Sequence, residues 1–340
     1  MTGPLVSVVV PVHDVVDYLD ACVGSIVGQT HTALDVVLVD DGSTDGSEAL
    51  CDAWAERDLR VRVVHQAAQG SSVARNVGID AAHGDWLTFA DSDDVLSPDL
   101  VAILLAAAVG SGAEIALGEH VAFEEGEQVA FTPGSTVTVS PAAVETMQVM
   151  CVRPQWGPVA KLLRRDLLVD GPRFPEGLLH QDLAFTPRVF GRATLVARTD
   201  AVVYGYRQRR GSVTDTVRRV ALSPDLVTIL RGNIDLARRT TPARDFARYL
   251  AAYLRHAVRQ LERIGDADAW RRNEPYVRAC RELLRDHLPE AAATGAVHAP
   301  TRAAWRLAVT APRPYAVSAR SVRRLRTVVG ARVRAVRARA

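Results

Sequence analysis

The fold of this chain is decided by the stretch Gly84-Asp85-Trp86-Leu87-Thr88-Phe89-Ala90-Asp91-Ser92-Asp93-Asp94. Its apolar part, Trp86 to Ala90, is typical of a strand that is buried on both faces. The strand ends abruptly in three carboxylates, at positions 91, 93 and 94. Because open α/β sheets bind ligands at the carboxyl ends of their strands, acids at this end predict a binding site.

The same acids predict a metal. Clustered carboxylates repel one another unless a cation or protons balance them. Oxygen ligands suit a hard divalent ion, so we expect Mn²⁺ or Mg²⁺ at Asp93, with Asp91 beside it. The alternative is a polar turn before a helix, since Ser97-Pro98-Asp99 resembles a helix start. That alternative explains Asp99 better than it explains Asp91 and Asp93.

The residues before this stretch alternate between β-branched runs and helical periodicity. Strands are predicted over residues 5–12, 34–39 and 60–65, with helices at 17–29, from 45 onward, and at 71–82. Asp45 followed by Glu48 resembles a capping box at the start of the second helix. Later in the chain, residues 121–131, broken at Glu125-Gly126, predict a hairpin. Strands that alternate with helices imply a parallel sheet with right-handed crossovers. The predicted fold class is therefore α/β, with a Rossmann-like, mostly parallel sheet flanked by helices and a helical C-terminal extension.

A second predicted strand also ends in paired acids, Asp40-Asp41, on the same edge of the sheet. One such pair could be a turn, but two pairs at strand ends indicate a site. Between them, Gly70-Ser71-Ser72 opens a helix whose N-terminal N–H groups suit an anion. Arg75 follows, and a solvated helix charge is the alternative for it. The chain has no Gly-x-Gly-x-x-Gly after its first strand, so carboxylates and a metal would hold a nucleotide here.

These motifs resemble those of family 2 glycosyltransferases of the GT-A fold. The matching stretches lie in order at the family's spacing between residues 5 and 100: Val8-Val9-Val10-Pro11-Val12-His13-Asp14, Val39-Asp40-Asp41-Gly42-Ser43-Thr44-Asp45, Ala74-Arg75-Asn76-x-Gly78 and the opening stretch. The resemblance implies inverting transfer of a sugar from a nucleoside-diphosphate sugar to an acceptor hydroxyl, in cell-surface polysaccharide or glycoconjugate synthesis. The chain departs from the family at His13-Asp14, where Tyr-Asn is common, beside the base pocket.

The resemblance also implies roles for individual residues. Asp41 would contact the nucleotide base, while Asp91 and Asp93 would face the ribose and the metal-bound diphosphate. A carboxylate that accepts the imide N–H of uracil or thymine favours a UDP- or dTDP-sugar. The implied nucleotide-sugar site comprises Pro11, Val12, Asp14, Asp41, Arg75, Asp91, Ser92, Arg207 and Arg210.

A weaker block of resemblance covers residues 156–214. In the family an acidic pair supplies the catalytic base, and here the pair reads Gln181-Asp182, so Asp182 is the candidate base. A helix-start carboxylate is the alternative for Asp182, and His180 is a competing base. Residues 206–214 resemble the family's segment that closes over the diphosphate. Lys161 is the only lysine among 41 basic residues, and we weigh contact with acceptor or phosphate against a surface position.

The remaining features concern organisation and location. We expect a GT-A domain at residues 1–220, divided into a nucleotide-binding half (1–100) and an acceptor half (101–220), then a helical extension (221–300) and an arginine-rich tail (301–340). Four scattered cysteines, no apolar run near the ~18 residues of a membrane span and no secretory signal predict a cytoplasmic protein.

The tail carries many arginines and no acid. We predict that it forms basic amphipathic helices on an anionic membrane surface, which would suit a glycan or lipid-linked acceptor. A packed or disordered C-terminal helix is the alternative. We expect no nucleic-acid partner, since few aromatic residues accompany these arginines. Two other functions remain open: a nucleotidyltransferase on a similar sheet, and a non-catalytic scaffold that keeps the fold.

Overall fold

The computed structural model of the protein describes residues 3–147, 155–209, 222–264, 267–295 and 297–319. The chain divides into two compact units, residues 1–215 and 216–340. Nine strands of the first unit form one sheet: β1 (Val6–Val12), β2 (Leu34–Asp41), β3 (Val61–Gln66), β4 (Trp86–Phe89), β5 (Val95–Leu96), β6 (Ile115–Glu124), β7 (Val137–Pro141), β8 (Lys161–Arg164) and β9 (Leu195–Gln208). Its described helices are α1 (Val16–Val27), α2 (Ser47–Arg57), α3 (Ser71–Ala81), α4 (Leu100–Ser111), α5 (Ala142–Met147) and α6 (Gln181–Phe190).

The sheet changes character along its width. Its strand order is β3-β2-β1-β4-β8-β6-β9-β5, with β7 paired to β9. The first four strands are parallel, whereas β8 runs antiparallel to both β4 and β6. Because the chain order reverses between β1 and β4, a switch point of the kind that binds ligands lies there. The α/β fold class is confirmed, and its parallel strands β1 to β4 lie within residues 1–100, the predicted nucleotide-binding half.

Two apolar clusters cover the two faces of the sheet. Alternate residues of one strand enter different clusters, as in β1, where Val8 packs with Leu19 and Val9 packs with Phe89. Helix α3 lies so close to β1 that a Cβ on Gly78 would meet the Val9 side chain at 2.2 Å. The parallel strands are therefore buried on both faces, as their apolar runs predict.

An aromatic cluster ties the centre of the sheet to α6. The ring of Phe174 stacks on that of Phe185 in α6, with centroids 3.8 Å apart. Phe89 of β4 meets both rings edge-on, at 5.5 and 6.0 Å. This contact fixes the helix that carries Asp182 against the strand that leads to Asp91.

Several local expectations are wrong. A hairpin predicted over 121–131 is absent from this described region, because β6 continues to Glu124 and pairs in parallel with β9. The capping box predicted at Asp45 and Glu48 does not form. Gly46, with φ 101°, stands at the N-cap of α2, and the Asp45 carboxylate accepts the N–H of Ser47 instead. Tertiary pairing and loop geometry override local pattern in both places.

The second unit is helical where it is described. Its helices are α7 (Asp225–Thr240), α8 (Ala243–Leu261), α9 (Ala267–Arg272), α10 (Glu274–Ala293) and α11 (Ala299–Thr310), and residues 312–319 are helical too. Trp305 is buried, and the Tyr315 hydroxyl donates to Glu262 at 2.9 Å. The predicted tail is thus packed as far as residue 319, and its remainder lies outside the described residues. Within the described ranges, no helix has the length and apolar character needed to cross a membrane.

Candidate functional site

The end of β2 holds a buried carboxylate at the predicted base site. Asp41 is 3% exposed and accepts three hydrogen bonds, from the Gln66 side chain at 2.7 Å and from the N–H groups of Gln69 and Gly70 at 2.8 and 2.7 Å. Gly42 permits this arrangement, because its φ is 69° and a Cβ there would meet the Ala68 nitrogen at 2.7 Å. An ionised carboxylate has about four acceptor sites, so Asp41 keeps capacity for a further donor.

The end of β1 forms the neighbouring wall. Pro11 and Val12 are buried in the strand, and Asp14 follows with φ 48°. The Asp14 carboxylate accepts the N–H of Thr44 at 2.7 Å, and its own N–H donates to Ser43 at 3.3 Å. The loops after β1 and β2 are therefore joined by hydrogen bonds, with Asp14 exposed at the rim.

Beyond β4, Asp91 meets the arginine of the Ala-Arg-Asn motif. Arg75 is 8% exposed and donates to the Asp91 carboxylate at 2.7 Å. Its guanidinium lies 5.4 Å from the Phe174 ring centroid. The alternative of a solvated helix charge is thus wrong for Arg75, which neutralises an acid at the site. The side chain of the next residue, Asn76, makes two hydrogen bonds with the backbone of Phe174. It accepts the N–H at 2.8 Å and donates to the carbonyl at 2.9 Å, and the sequence did not predict this contact.

The end of β9 brings further arginines to the same acids. Arg209 donates to the Asp93 carboxylate at 2.6 Å, and Arg207 donates to the Asp93 carbonyl oxygen at 2.7 Å. The Arg207 guanidinium also lies over the rings of Phe123 and Tyr18, at 4.7 and 5.2 Å. Arg210, which the resemblance also implied, lies outside the described residues. Arg209 belongs to the segment 206–214 that resembles the family's closing segment, but it was not among the individual site residues expected.

A third acid, Asp94, is fully buried behind the other two. It accepts the Tyr204 hydroxyl at 2.7 Å and the Arg207 N–H at 2.7 Å. The Tyr204 hydroxyl in turn accepts the N–H of Asp91 at 3.0 Å. Burial first, and then the charges of Asp91 and Asp93, raise the pKa of Asp94 to about 8. Asp94 therefore fixes the loop, with Ser92 buried inside it, while Asp91 and Asp93 remain half-buried toward the site.

The donor set at this loop fits a divalent cation. Two half-buried carboxylates, Asp91 and Asp93, offer the hard oxygen ligands that Mg²⁺ and Mn²⁺ prefer. Burial, and next the charges of Asp91 and Asp93, raise the pKa of Asp94, so a proton on Asp94 offsets part of the negative charge of the loop near neutral pH. Arginines balance that charge in this structure, through Arg75 on Asp91 and Arg209 on Asp93.

Another group of metal-type side chains lies at the other side of β2. Asp40, Glu48 and His65 hold their ligand atoms within 4.8 Å of one another. Both ring nitrogens of His65 face carboxylates, Asp40 at 3.2 Å and Asp52 at 3.0 Å. Burial lowers the pKa of His65, but these two hydrogen bonds and charges outweigh it and raise the pKa overall. The contacts of His65 with Asp40 and Asp52 account for the close approach of these side chains.

The proposed base lies in the first turn of α6. Asp182 is half-buried, and its carboxylate accepts the N–H of Leu183 at 2.9 Å. Its neighbour Gln181 contacts the Ser71 hydroxyl at 2.9 Å. When the oxygen and nitrogen of the Gln181 amide are exchanged, the nitrogen donates to the Leu178 carbonyl at 3.1 Å. The oxygen then accepts from Ser71 at 2.9 Å and from Arg75 at 3.0 Å. The departure from the family's acidic pair therefore joins α6 to α3 through hydrogen bonds with Ser71 and Arg75.

A buried polar network lies beside Asp182 in the acceptor half. Lys161 is 3% exposed, so the surface alternative for it is wrong. Burial, and next the charge of Arg198, lower the pKa of Lys161 to about 7, while the charges of Asp182 and Glu119 act in the opposite direction. Arg198 donates to Gln155 at 2.9 Å and pairs with Glu145 and Glu119. Sequence periodicity gave no signal for these partners.

Comparisons with known proteins bear on the family and the fold of this chain. The sequence model of the family described as Glycosyl transferase family 2 matches residues 7–141. The glycosyltransferase GlyG of Streptococcus pneumoniae serotype 4 is 30% identical over 240 residues, which covers 68% of this chain and 79% of GlyG.

Solved structures show the same fold. One is S. aureus TarS 1–349 in complex with UDP-GlcNAc, with a TM-score of 0.73, 20% identity, and coverage of 92% of this chain and 88% of that chain. Another is the mannosyltransferase PcManGT from Pyrobaculum calidifontis in complex with GDP-Man and Mn²⁺, with a TM-score of 0.51, 17% identity, and coverage of 94% and 86%. The predicted GT-A fold is confirmed.

Proposed function

Because this chain belongs to glycosyltransferase family 2 and is a glycosyltransferase, we propose that it moves a sugar from a nucleoside-diphosphate sugar to an acceptor hydroxyl with inversion. The observation that carries this proposal is the meeting of two arginine-neutralised acids, Asp91 and Asp93, with the buried Asp41 at one edge of the parallel strands. Acids that recruit arginines there suit a diphosphate beside a nucleoside.

Asp41 would recognise the base. It is buried, its three donors hold it in one orientation, and a carboxylate can only accept hydrogen bonds. The imide N–H of uracil or thymine is a matching donor, which favours a UDP- or dTDP-sugar. Pro11, Val12 and Asp14 would line the base and ribose side, where the loops after β1 and β2 meet.

Asp91, Ser92 and the arginines would hold the ribose and the diphosphate. Arg75 and Arg207 are fixed by Asp91, by the backbone of Asp93 and by aromatic rings, so their guanidinium groups are oriented before a donor arrives. Orientation in advance lowers the free-energy cost of stabilising charge during the reaction. Arg210 belongs to this proposal as well, although it lies outside the described residues.

We further propose a divalent metal, Mn²⁺ or Mg²⁺, at Asp93 with Asp91 beside it. When bound, the ion supplies positive charge that stabilises the leaving diphosphate. The half-buried carboxylates fit such an ion, and a Mn²⁺ ion accompanies GDP-Man in the complex of PcManGT. A donor that brings the ion would compete with Arg209 for Asp93.

Asp182 would accept the proton of the acceptor hydroxyl. The aromatic cluster and Gln181 hold its helix against both β4 and α3, which supports a position of its first turn near the proposed donor site. A base must lie within hydrogen-bond reach of the proton that it removes. One base acting from the face opposite the diphosphate gives a single displacement, hence inversion. His180 is the second candidate, because it directly precedes the same helix.

The acceptor and the location complete the proposal. We propose a glycan or lipid-linked acceptor in cell-surface polysaccharide or glycoconjugate synthesis, a cytoplasmic enzyme, and contact of the arginine-rich tail with an anionic membrane. Support comes from exposed Leu307 and Val317 among arginines of the 301–319 segment. Each arginine near an anionic surface contributes about 1 kcal/mol. Truncation after residue 319 should weaken low-salt sedimentation with anionic vesicles, and unchanged sedimentation would contradict membrane contact by residues 320–340.

We propose three regions: a catalytic domain at residues 1–220, a helical extension at 221–300 and the arginine-rich tail at 301–340.

The function itself is tested with a panel of UDP-, dTDP- and GDP-sugars and Mn²⁺, by measuring release of the nucleoside diphosphate. We expect release from a uridine or thymidine donor. No release from any nucleotide sugar, with or without candidate acceptors, would contradict the proposal.

A further inference from the structure

The lone lysine of the chain occupies an unusual position. Lys161 opens β8 and is almost fully buried, yet its ammonium donates to two backbone carbonyl oxygens, of Gly157 at 2.6 Å and of Val159 at 3.3 Å. Burying an amine is costly unless it gains such partners. Both carbonyls belong to the segment 155–160, which directly precedes the strand. The lysine side chain therefore folds back on the segment that precedes it and links two of its carbonyl groups.

The segment 155–160 touches three elements of the site. Val159 bridges to Phe89 at the end of β4, two residues before Asp91. The Trp156 carbonyl accepts the Thr186 hydroxyl at 2.6 Å, and the Ala160 carbonyl accepts the N–H of Gly118 in β6 at 3.0 Å. The segment thus connects α6 to the end of β4, which leads into the acidic loop at residues 91–94.

Thr186 lies four residues after Asp182, so both occupy one face of α6. The hydrogen bond from Thr186 to the segment is therefore made one turn from the proposed base. The backbone of Ala160 also has a φ of 55°, a conformation that residues other than glycine rarely adopt. Such a conformation persists when its surroundings over-determine it. Lys161, bonded to the carbonyls on either side of Pro158, is one of those surroundings.

We infer that Lys161 is a positioning residue. It holds the segment 155–160 between β4 and α6, so that Asp182 keeps its position relative to the acidic loop at residues 91–94. This inference rests on the proposed function, since it assigns Asp182 the role of base. Its cation also faces Asp182, Glu119, Arg198 and His120, and burial lowers its pKa to about 7. The neutral amine retains two N–H donors, one for each carbonyl.

The test compares Lys161→Met with the wild-type protein by hydrogen exchange and by kinetics. Methionine has a similar length but no donor, so amides of residues 156–161 and 182–190 should exchange faster, while those of α3 should be unchanged. The kcat should fall about 10- to 100-fold, the usual result of a small misplacement, with the dissociation constant of UDP within about twofold. Should Lys161→Met not fold, Lys161→Gln is measured instead. Its amide nitrogen lies one bond nearer the backbone than the lysine nitrogen, so the hydrogen bonds to Gly157 and Val159 should weaken, and exchange and kcat should change in the same direction by a smaller amount.

Leu163→Ala is the matched control. Leu163 lies in the same strand and is equally buried, but its side chain packs in the apolar cluster and bonds no segment carbonyl. It should lower Tm while leaving kcat near the wild-type value at a temperature well below that Tm. Wild-type exchange rates in Lys161→Met, or an equal loss of kcat in Leu163→Ala, would overturn the inference. An inactive wild-type protein would contradict the proposed function instead, and the exchange measurement would still decide the role of Lys161.

Discussion

The nucleotide-binding half and the acceptor half build their parts of the site in different ways. In the nucleotide-binding half, Asp41 is held by backbone and side-chain donors of the adjoining β3 loop, 25 to 29 positions away. In the acceptor half, Tyr204 reaches Asp94 across 110 positions and Arg209 reaches Asp93 across 116. The proposed base site is therefore built by neighbouring loops, whereas the strand β9 and the helix α6 reach the proposed catalytic edge from distant parts of the sequence.

The two halves also balance charge differently. Asp41 is satisfied by neutral amide donors, while Asp91 and Asp93 pair with arginines. Beside Asp182 the acceptor half holds the buried Lys161 and the half-buried Arg198, which pairs with Glu145 and Glu119. We therefore expect variants of the nucleotide-binding half to change donor affinity and variants of the acceptor half to change turnover. The acidic loop, where both halves meet, should be the most sensitive point.

The largest effect is expected at that meeting point. Asp93→Asn removes a charged ligand without changing size, so turnover should fall to the background of the assay while the Tm stays near that of the wild type. Asp166→Asn is a matched control, because Asp166 also pairs with an arginine but is exposed. Full activity of Asp93→Asn, or of the wild-type protein after exhaustive chelation, would contradict the metal role.

The next effect separates turnover from binding. Asp182→Asn should lower kcat by roughly 10²–10⁴, the usual contribution of a positioned base, with donor affinity nearly unchanged. His180→Ala should cost far less. Steady-state kinetics of the two variants checks both statements, and the reverse ranking would move the role of base to His180.

A smaller effect is expected at the base site. Asp41→Ala removes a charged acceptor and leaves the N–H groups of Gln69 and Gly70 without it. Hydrogen bonds to charged groups contribute about 1.5–3 kcal/mol, so UDP affinity should fall about 10- to 150-fold. Titration calorimetry with UDP measures this loss. An unchanged dissociation constant would show that the base lies elsewhere.

The smallest effect concerns stability and its dependence on pH. Burial raises the pKa of Asp35, but hydrogen bonds from Ser7, the His83 N–H and Arg62 outweigh burial and lower the pKa overall. The stabilisation is therefore present above about pH 4, the unfolded value, and is lost as pH falls through the lower folded value. Asp35→Asn should cost about 1 kcal/mol of unfolding free energy at pH 7. Denaturant titrations at pH 7 and pH 3 should show the difference shrinking, and a constant difference would contradict this linkage.

The nucleotide-binding half was predictable because its signals are local. The first four strands are short β-branched or apolar runs, and Asp41, Asp91 and Asp93 lie at or shortly after the ends of strands. Since parallel strands align their carboxyl ends, these acids had to meet at one edge. The resemblance added Arg75, whose contact with Asp91 is observed.

The acceptor half was less predictable because its partners are distant in sequence. The hairpin expected after Val121 is replaced by pairing of β6 with β9, which no local pattern encodes. The roles of Tyr204, Asn76 and Lys161 arise from contacts across the sheet, and hydrophobic periodicity carries no information on such polar partners. A lysine that stands alone among arginines was the one available signal.

The central claim is a single displacement at the sugar carbon, with Asp182 taking the proton of the acceptor. Its most direct test is the anomeric configuration of the product, measured by proton NMR during turnover of the donor that the panel identifies. The account predicts inversion, so that an α-linked nucleotide sugar gives a β-linked product, and it predicts that Asp182→Asn slows formation of that product. Retention of configuration by the wild-type protein would contradict the account.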